Sequence, residues 1–469
     1  MSAADPQAQA LSAEARRAYR PALAFSFFNA LNWQIALGTP MVLLVEGLGG
    51  SAFEVGLCFA FVYLMTPVQV LSTAFLPRYG FRRMMLSGWG LRALFLLPCI
   101  VLAYLGRDGH SAPWMRAVMI GSVFGFTFCR SLGSCAWLPW LYKLLPEKTR
   151  GRYFASEQLT SSVAGVGVLV LCAILFKTLP RFEAFMIEYA VAFVGAALSY
   201  LALRRMPDTE KPAAISLREI VRAAPGIFFR ASRFRPFLWA SCWYGFATTA
   251  IPPFCIYFLR VEAHVSPGDV VLFTTMQYTG VMLMAWLVRG ELDRRGPRPF
   301  FFAATLVYMA VALFWVSLLV FRFDAHGFFP FVFLAIGLGY TLWAATYPNY
   351  LPLIVPDENR PLVLSVYSAS TSFVSGLGPV LWGLVLKTGG DAPGMDRSWF
   401  VVFFGFVLAS MGGIVWRLRR FEYPEGPRES LQLGNVLLQP QRAFGFFINL
   451  VDTSLAPADN GRRPPPGTS

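Results

Sequence analysis

Two arginines stand inside long apolar runs, Arg92 and Arg130. At 1.5 Å per helical residue, Arg92 lies about 13 Å into its run from Arg83, and Arg130 about 20 Å from Lys143. An arginine at mid-membrane depth costs roughly 2.5–3.5 kcal/mol to insert, so it is expected to face a wet cavity or a partner. Arg130 reads as a cavity residue that holds a polar or anionic group, with a helix-bridging role as the alternative. For Arg92, snorkelling or structural pairing is the favoured reading.

Four polar-aromatic stripes accompany these arginines. Asn29, Asn32 and Trp33 fall at i, i+3 and i+4, one face of a helix. Ser134 and Trp137 follow Arg130 at i+4 and i+7. Ser241, Tyr244 and Thr248 share a third face, and Tyr340, Trp343 and Tyr347 a fourth. A guanidinium with amides and aromatic faces suits a polar or anionic organic molecule. Interhelical hydrogen bonds and aromatic packing explain each residue singly, but four such stripes less well.

Carboxylates are placed differently. Glu46, Glu54, Glu157, Glu188 and Asp269 map near the ends of apolar runs, and His110, His264 and His326 fall in or beside loops. A proton carrier at the depth of the arginines is therefore not expected. The seven cysteines all lie in apolar runs without zinc-ligand or CxxC spacing. No G-x-x-x-x-G-K or H-E-x-x-H motif is present. Neither an enzyme nor a bound metal or cofactor is expected.

The elements that position these residues must be membrane helices. The chain has 469 residues, 56% hydrophobic and 14% charged, with mean hydropathy +0.53; soluble domains carry about 25% charge. Runs of about 20 apolar residues recur, long enough to cross about 30 Å of hydrocarbon. Twelve spans are expected, near 21–45, 54–76, 84–105, 116–141, 158–178, 184–203, 237–259, 269–288, 300–321, 328–352, 362–386 and 398–416. Thirty of the 40 Lys and Arg then fall on one side, eight on the other, and Arg92 and Arg130 within spans. That asymmetry orients both termini to the cytoplasm. It also assigns the net charge of +14 to topology rather than to nucleic acid. The first 18 residues hold Asp5 and Glu14 and no apolar core, so the first span is expected to be its own insertion signal.

The chain states one pattern twice. Pro77-Arg78-Tyr79-Gly80-Phe81-Arg82-Arg83 is echoed by Asp293-Arg294-Arg295-Gly296-Pro297-Arg298, and Pro146-Glu147-Lys148-Thr149-Arg150-Gly151 by Pro356-Asp357-Glu358-Asn359-Arg360-Pro361. Five segments follow. Residues 1–19 form a cytoplasmic tail, 20–205 a first six-helix bundle and 236–419 a second. Residues 206–235 form a linker, in which the capping-box pattern Ser216-Leu217-Arg218-Glu219 predicts a short amphipathic helix. Residues 420–469 form a partly disordered tail, where Leu431–Leu438 and Phe444–Val451 are apolar but too short to span. Prolines recur inside spans (Pro40, Pro67, Pro252, Pro253, Pro348, Pro379), and Gly376-Leu377-Gly378-Pro379 suits bending or tight packing equally.

At the repeated loops the chain resembles the major facilitator superfamily of secondary transporters. The family's loop between spans two and three typically reads G-x-x-x-D-R-x-G-R-[RK]. Arg78, Gly80, Arg82 and Arg83 match it, while Pro77 stands in place of the aspartate and Phe81 in place of an arginine. The second copy keeps Asp293, Arg294, Gly296 and Arg298. The P-[DE]-x-x-R loops, with Glu147, Arg150, Asp357 and Arg360, are similar to the family's too, and Arg130-Ser131-Leu132-Gly133 loosely resembles its span-four R-x-x-Q-G motif. The resemblance covers roughly residues 20–420. It implies an all-α integral membrane protein of two pseudo-symmetric six-helix bundles around a central cavity, with the loops acting as gates. Arg82 and Arg83 are read here as topology determinants rather than latches. The implied activity is secondary active or facilitative transport of a small polar or anionic solute by alternating access, in a monomer in the plasma (inner) membrane. Efflux of amphipathic compounds or lipids is one alternative; a non-transporting assembly or sensory partner is the other.

Overall fold

In a computed structural model of the chain, residues 13–419 and 421 are described apart from 110–111, 146, 212–221, 223–224, 228, 230–232, 289–291, 293–294, 356–359 and 389–396. The described residues form helices and short connections, with no strand among them. Eleven helical segments among them are long and apolar enough to cross a membrane. The linker helix expected at Ser216–Glu219 and both apolar stretches of the tail lie outside the described residues.

Most spans of the first half are broken once, and proline sets the break. Ala13–Leu37 (α1) gives way at Gly38 to Thr39–Gly47 (α2), because Pro40 has no N–H to continue the ladder. Ala52–Leu64 (α3), entered through a capping box between Ser51 and Glu54, breaks at Met65 before Pro67 into Thr66–Ser72 (α4). Leu76–Tyr79 (α5), Phe81–Leu94 (α6), Leu96–Gly106 (α7), Pro113–Ser134 (α8) and Trp137–Leu144 (α9) follow. Glu147–Thr178 (α10) and Arg181–Arg204 (α11) are continuous.

After the linker, Phe234–Thr248 (α12) and Ile251–Val261 (α13) break at Thr249–Ala250 ahead of Pro252 and Pro253. This pair occupies the expected span 237–259 yet is not among the eleven. Its Trp, Tyr, Thr and Pro residues dilute its hydropathy, and several of them line the cavity described below. Pro267–Val288 (α14), Arg298–Phe321 (α15), Phe329–Ile354 (α16), Arg360–Thr388 (α17) and Arg397–Leu418 (α18) complete the described chain.

Helices up to Arg204 pack on one another, α1 against α10 and α11, α6 against α8. Helices from Phe234 onward do likewise, α14 and α15 against α16, α15 against α18 and α12 against α17. The two sets meet along α3–α17 and α10–α14. Glycine permits the first of these contacts. A Cβ on Gly56 would lie 2.3 Å from the Pro379 carbonyl oxygen, and one on Gly376 would lie 2.8 Å from Leu64. The Gly376–Pro379 segment thus serves close packing within a continuous helix. Large apolar side chains such as Leu94, Val101, Phe321, Phe331 and Trp416 remain exposed, as a lipid-facing surface requires.

Candidate functional site

A cavity of about 670 Å³ lies between the two sets of helices. Trp33 and Thr39 reach it from the α1–α2 segment, and Phe59, Val62 and Tyr63 from α3. The broken pair α12–α13 contributes Ser241, Tyr244, Thr248 and Thr249. Gln277 and Tyr278 on α14, Tyr308 on α15, and Tyr340, Trp343 and Tyr347 on α16 continue the wall. Ser368, Thr371, Ser372 and Ser375 close it from α17, at i, i+3, i+4 and i+7. Among the described residues, none of the lining carries a charge.

The wall is aromatic and rich in hydroxyls. Tyr244 stacks on Trp343 at 3.8 Å between centroids and 11° between planes, and meets Tyr308 edge-on at 5.8 Å. The Tyr244 and Tyr308 hydroxyls donate to the Gly339 and Ile336 carbonyls at 3.4 Å, which fixes the rings on α16. Thr248, Thr371 and Ser375 donate to carbonyls of their own preceding turns at 2.6–2.8 Å. Their oxygen lone pairs stay available to a solute. Ser241 and Gln34 are buried beside the Tyr367 and Tyr278 hydroxyls.

Of the residues expected at the site, Trp33, Tyr244, Thr248, Tyr340, Trp343 and Tyr347 line the cavity. Five do not. The Asn29 and Asn32 side chains turn to Arg92, whose Nη2 donates to Asn29 Oδ1 at 2.6 Å and Asn32 Oδ1 at 3.3 Å. Ser134 points back to the Ser131 carbonyl at 3.5 Å, and Trp137 packs at 4.5 Å on Phe25. Arg130 borders the cavity from behind: its Cζ sits 5.0 Å from the Trp33 ring, and its Nη2 lies 3.5 Å from the Val62 carbonyl. Arg92 is 0% exposed, which excludes snorkelling and leaves pairing.

One acidic residue adds to the sequence reading. Glu188, expected near a span end, is 0% exposed, with the Cys172 thiol against its carboxyl. The neighbouring helices cover it, a fact that distance along its own helix does not convey.

The repeated loops are partly described. Gly80 (φ +80°) and Gly296 (φ +70°) both take a positive φ that favours glycine, so the echoed positions share that requirement. Arg82 donates to the Arg204 carbonyl at 2.7 Å and the Met206 carbonyl at 3.2 Å. It therefore caps the end of α11, a specific contact beyond topology, whereas Arg83 is exposed. Lys211 donates to the Arg78 carbonyl at 2.9 Å, and Arg298 lies over Phe302 at 5.9 Å. Asp293, Arg294 and Asp357 lie outside the described residues, as do the side chains of Glu147, Arg150 and Arg360.

At the opposite end of the helices sits a clasp that the sequence did not announce. Glu46 on α2 accepts from Arg181 at the start of α11 and, at 3.4 Å, from Arg260 on α13. Lys177 pairs with Asp269 at 3.0 Å, and Thr39 donates to Thr274 at 2.9 Å. Arg260, Asp269 and Thr274 belong to the second half, so three polar contacts tie the halves together beside the cavity.

Comparisons with known proteins agree on the architecture. Residues 244–455 match the family model for the Major Facilitator Superfamily. Among solved structures, the nucleoside transporter NupG superposes with TM-score 0.64 at 12% identity, over 87% of this chain and 99% of that one. The xylose transporter XylE of E. coli, in an inward-open conformation, gives 0.63 at 13% identity, over 88% and 98%. A bacterial homologue of the human lysosomal transporter Spinster, inward-facing and unoccupied, gives 0.59 at 14% identity, over 88% and 100%. No curated protein matches the sequence.

Proposed function

We propose that the chain, whose residues 244–455 match the model of the major facilitator superfamily, is a membrane transporter rather than an enzyme, and that it carries a small polar organic solute through this cavity by alternating access. The observation that carries this reading is the cavity itself. Its volume falls within the range of about 300–1,000 Å³ typical of small-molecule sites. Helices from both halves supply its wall, the placement expected of a transporter built from repeats. Hydroxyl lone pairs and flat rings suit a hydroxylated or cyclic solute.

In this reading twelve spans form two pseudo-symmetric six-helix bundles, with α12 and α13 together as the seventh. The positive φ shared by Gly80 and Gly296 supports the duplication, and the charge asymmetry supports cytoplasmic termini. The clasp of Glu46, Arg181 and Arg260 then lies on the external side, and the described conformation is closed there. The broken spans give each half a bend beside the cavity.

Counterflow in proteoliposomes tests the proposal, with a panel of labelled polar solutes and wild type compared with Ser372→Trp. The large ring would occupy the cavity while leaving the α3–α17 contact alone. Saturable flux that the substitution abolishes at unchanged thermal stability is expected. Flux indifferent to the filled cavity would overturn the reading.

A further inference from the structure

Arg92 and Arg130 lie in adjacent, closely packed helices, α6 and α8. They bracket one stretch of α1. Asn29 and Asn32 hold Arg92, and Trp33, the next residue, faces Arg130. The Arg92 guanidinium is sandwiched, its Cζ 4.2 Å from the Trp89 ring and 5.0 Å from the Phe126 ring. Phe126 precedes Arg130 by one turn of α8, and the two positive charges repel one another.

What this cluster lacks is negative charge. Among the described residues neither arginine has a carboxylate partner, and Arg92 Nε, Arg92 Nη1 and Arg130 Nε are buried without any hydrogen-bond partner. Two amide oxygens and two aromatic faces stabilise a cation only partly. A buried ion without full compensation costs several kcal/mol, and here two of like sign share one region. Arg130 retains partial exposure and touches two cavity-wall residues, Trp33 and Val62. The described lining of the cavity beside them carries no charge.

We propose that Arg92 and Arg130 form a subsite for one oxyanion group, a carboxylate or phosphate, on the first-half wall of the cavity, with Trp33 as its cover. The inference rests on the transport reading and deepens it. The uncharged wall holds the hydroxylated or cyclic body of the solute, while its anionic end, or a co-bound inorganic anion, meets the unsatisfied guanidinium donors. Guanidinium suits this work because its planar N–H fork matches the geometry of a carboxylate or phosphate.

The test uses the full chain in detergent, titrated with inorganic phosphate or acetate at constant ionic strength. Thermal stability and tryptophan fluorescence are read, and Trp33→Phe identifies the reporting ring. A saturable rise in Tm is expected, together with a fluorescence change that Trp33→Phe removes. Arg130→Gln is expected to weaken apparent phosphate affinity by about tenfold or more, the scale of one lost charge-assisted hydrogen bond. Where Arg92→Gln fails to fold, Arg92→Lys keeps a charge for Asn29 and removes the two orphan donors, and it should weaken phosphate binding similarly. No saturable response of wild type to either anion, or equal affinities in wild type, Arg130→Gln and Arg92→Lys, would overturn the subsite.

Proteoliposome flux separates this proposal from its premise. If uncharged solutes are carried and anions neither bind nor inhibit, the subsite fails while transport stands. If phosphate binds at the arginines and no solute moves, transport fails while the subsite stands. Competitive inhibition of phosphate-monoester flux by inorganic phosphate would assign the site to the solute's own group, whereas stimulation of neutral-solute flux would assign it to a co-bound anion.

Discussion

Replacing Glu46 with glutamine removes the one carboxylate that links the first half to Arg260. The Glu46 and Arg260 side chains are each 14% exposed. Exposed pairs contribute about 0–1 kcal/mol, and breaking a buried pair costs about 3–5 kcal/mol, so this clasp lies between, near about 2 kcal/mol. Arg181 belongs to the same half as Glu46 and holds in any conformation of the halves. Only the share owed to Arg260, about 1 kcal/mol, favours the closed arrangement, which corresponds to roughly a fivefold shift toward opening. An introduced cysteine reads this shift. Ile256 lines the cavity about one turn from Arg260, and the seven native cysteines are all buried. With Ile256→Cys as the reporter, a membrane-impermeant thiol reagent added on the Glu46 side should react about five times faster when Glu46→Gln is also present. The double variant with Arg260→Gln should add little more. Equal labelling rates with and without Glu46→Gln, in protein of unchanged fold, would refute the clasp as a conformational restraint.

Other substitutions test the packing and the capping. Gly56→Ala should lower thermal stability by about 1–3 kcal/mol, since its Cβ would sit 2.3 Å from the Pro379 carbonyl oxygen; an unchanged Tm would mean that α3 and α17 separate freely. Arg82→Ala should cost about 1.5–3 kcal/mol through the lost bonds to the Arg204 and Met206 carbonyls, whereas Arg83→Ala should leave Tm within about 0.5 kcal/mol. Glu188→Gln should fold with stability within about 1 kcal/mol of wild type, because the group its carboxyl meets is the weakly bonding Cys172 thiol, which an amide can also meet; a loss of several kcal/mol in chemical unfolding would reveal an ionic partner.

Much of the fold was legible because lipid imposes a coarse code. Apolar runs mark helices, prolines such as Pro40, Pro67 and Pro252 mark breaks, and the Gly80 and Gly296 echo marks two positive-φ glycines. The site was legible where a stripe faces inward by its own spacing, as with Tyr340, Trp343 and Tyr347. It was less so where a neighbour decides direction. Asn29 and Asn32 share a face with Trp33, yet Arg92 draws both amides toward α6. The α17 hydroxyls Ser368, Thr371, Ser372 and Ser375 have helical spacing too, but Ser and Thr recur throughout the spans and do not by themselves single out a cavity face. The clasp was hidden for a different reason. Glu46 meets Arg181 across 135 residues and Arg260 across 214, and only packing brings such positions together.

The most direct test of the transport account follows one cysteine, Ser372→Cys on the cavity wall, in sealed vesicles. A membrane-impermeant thiol reagent should label it from the side of the Gly80 turn and not from the side of Glu46. A solute that is carried should slow that labelling. Labelling from neither side, or equally fast from both, would contradict a cavity that opens to one side at a time.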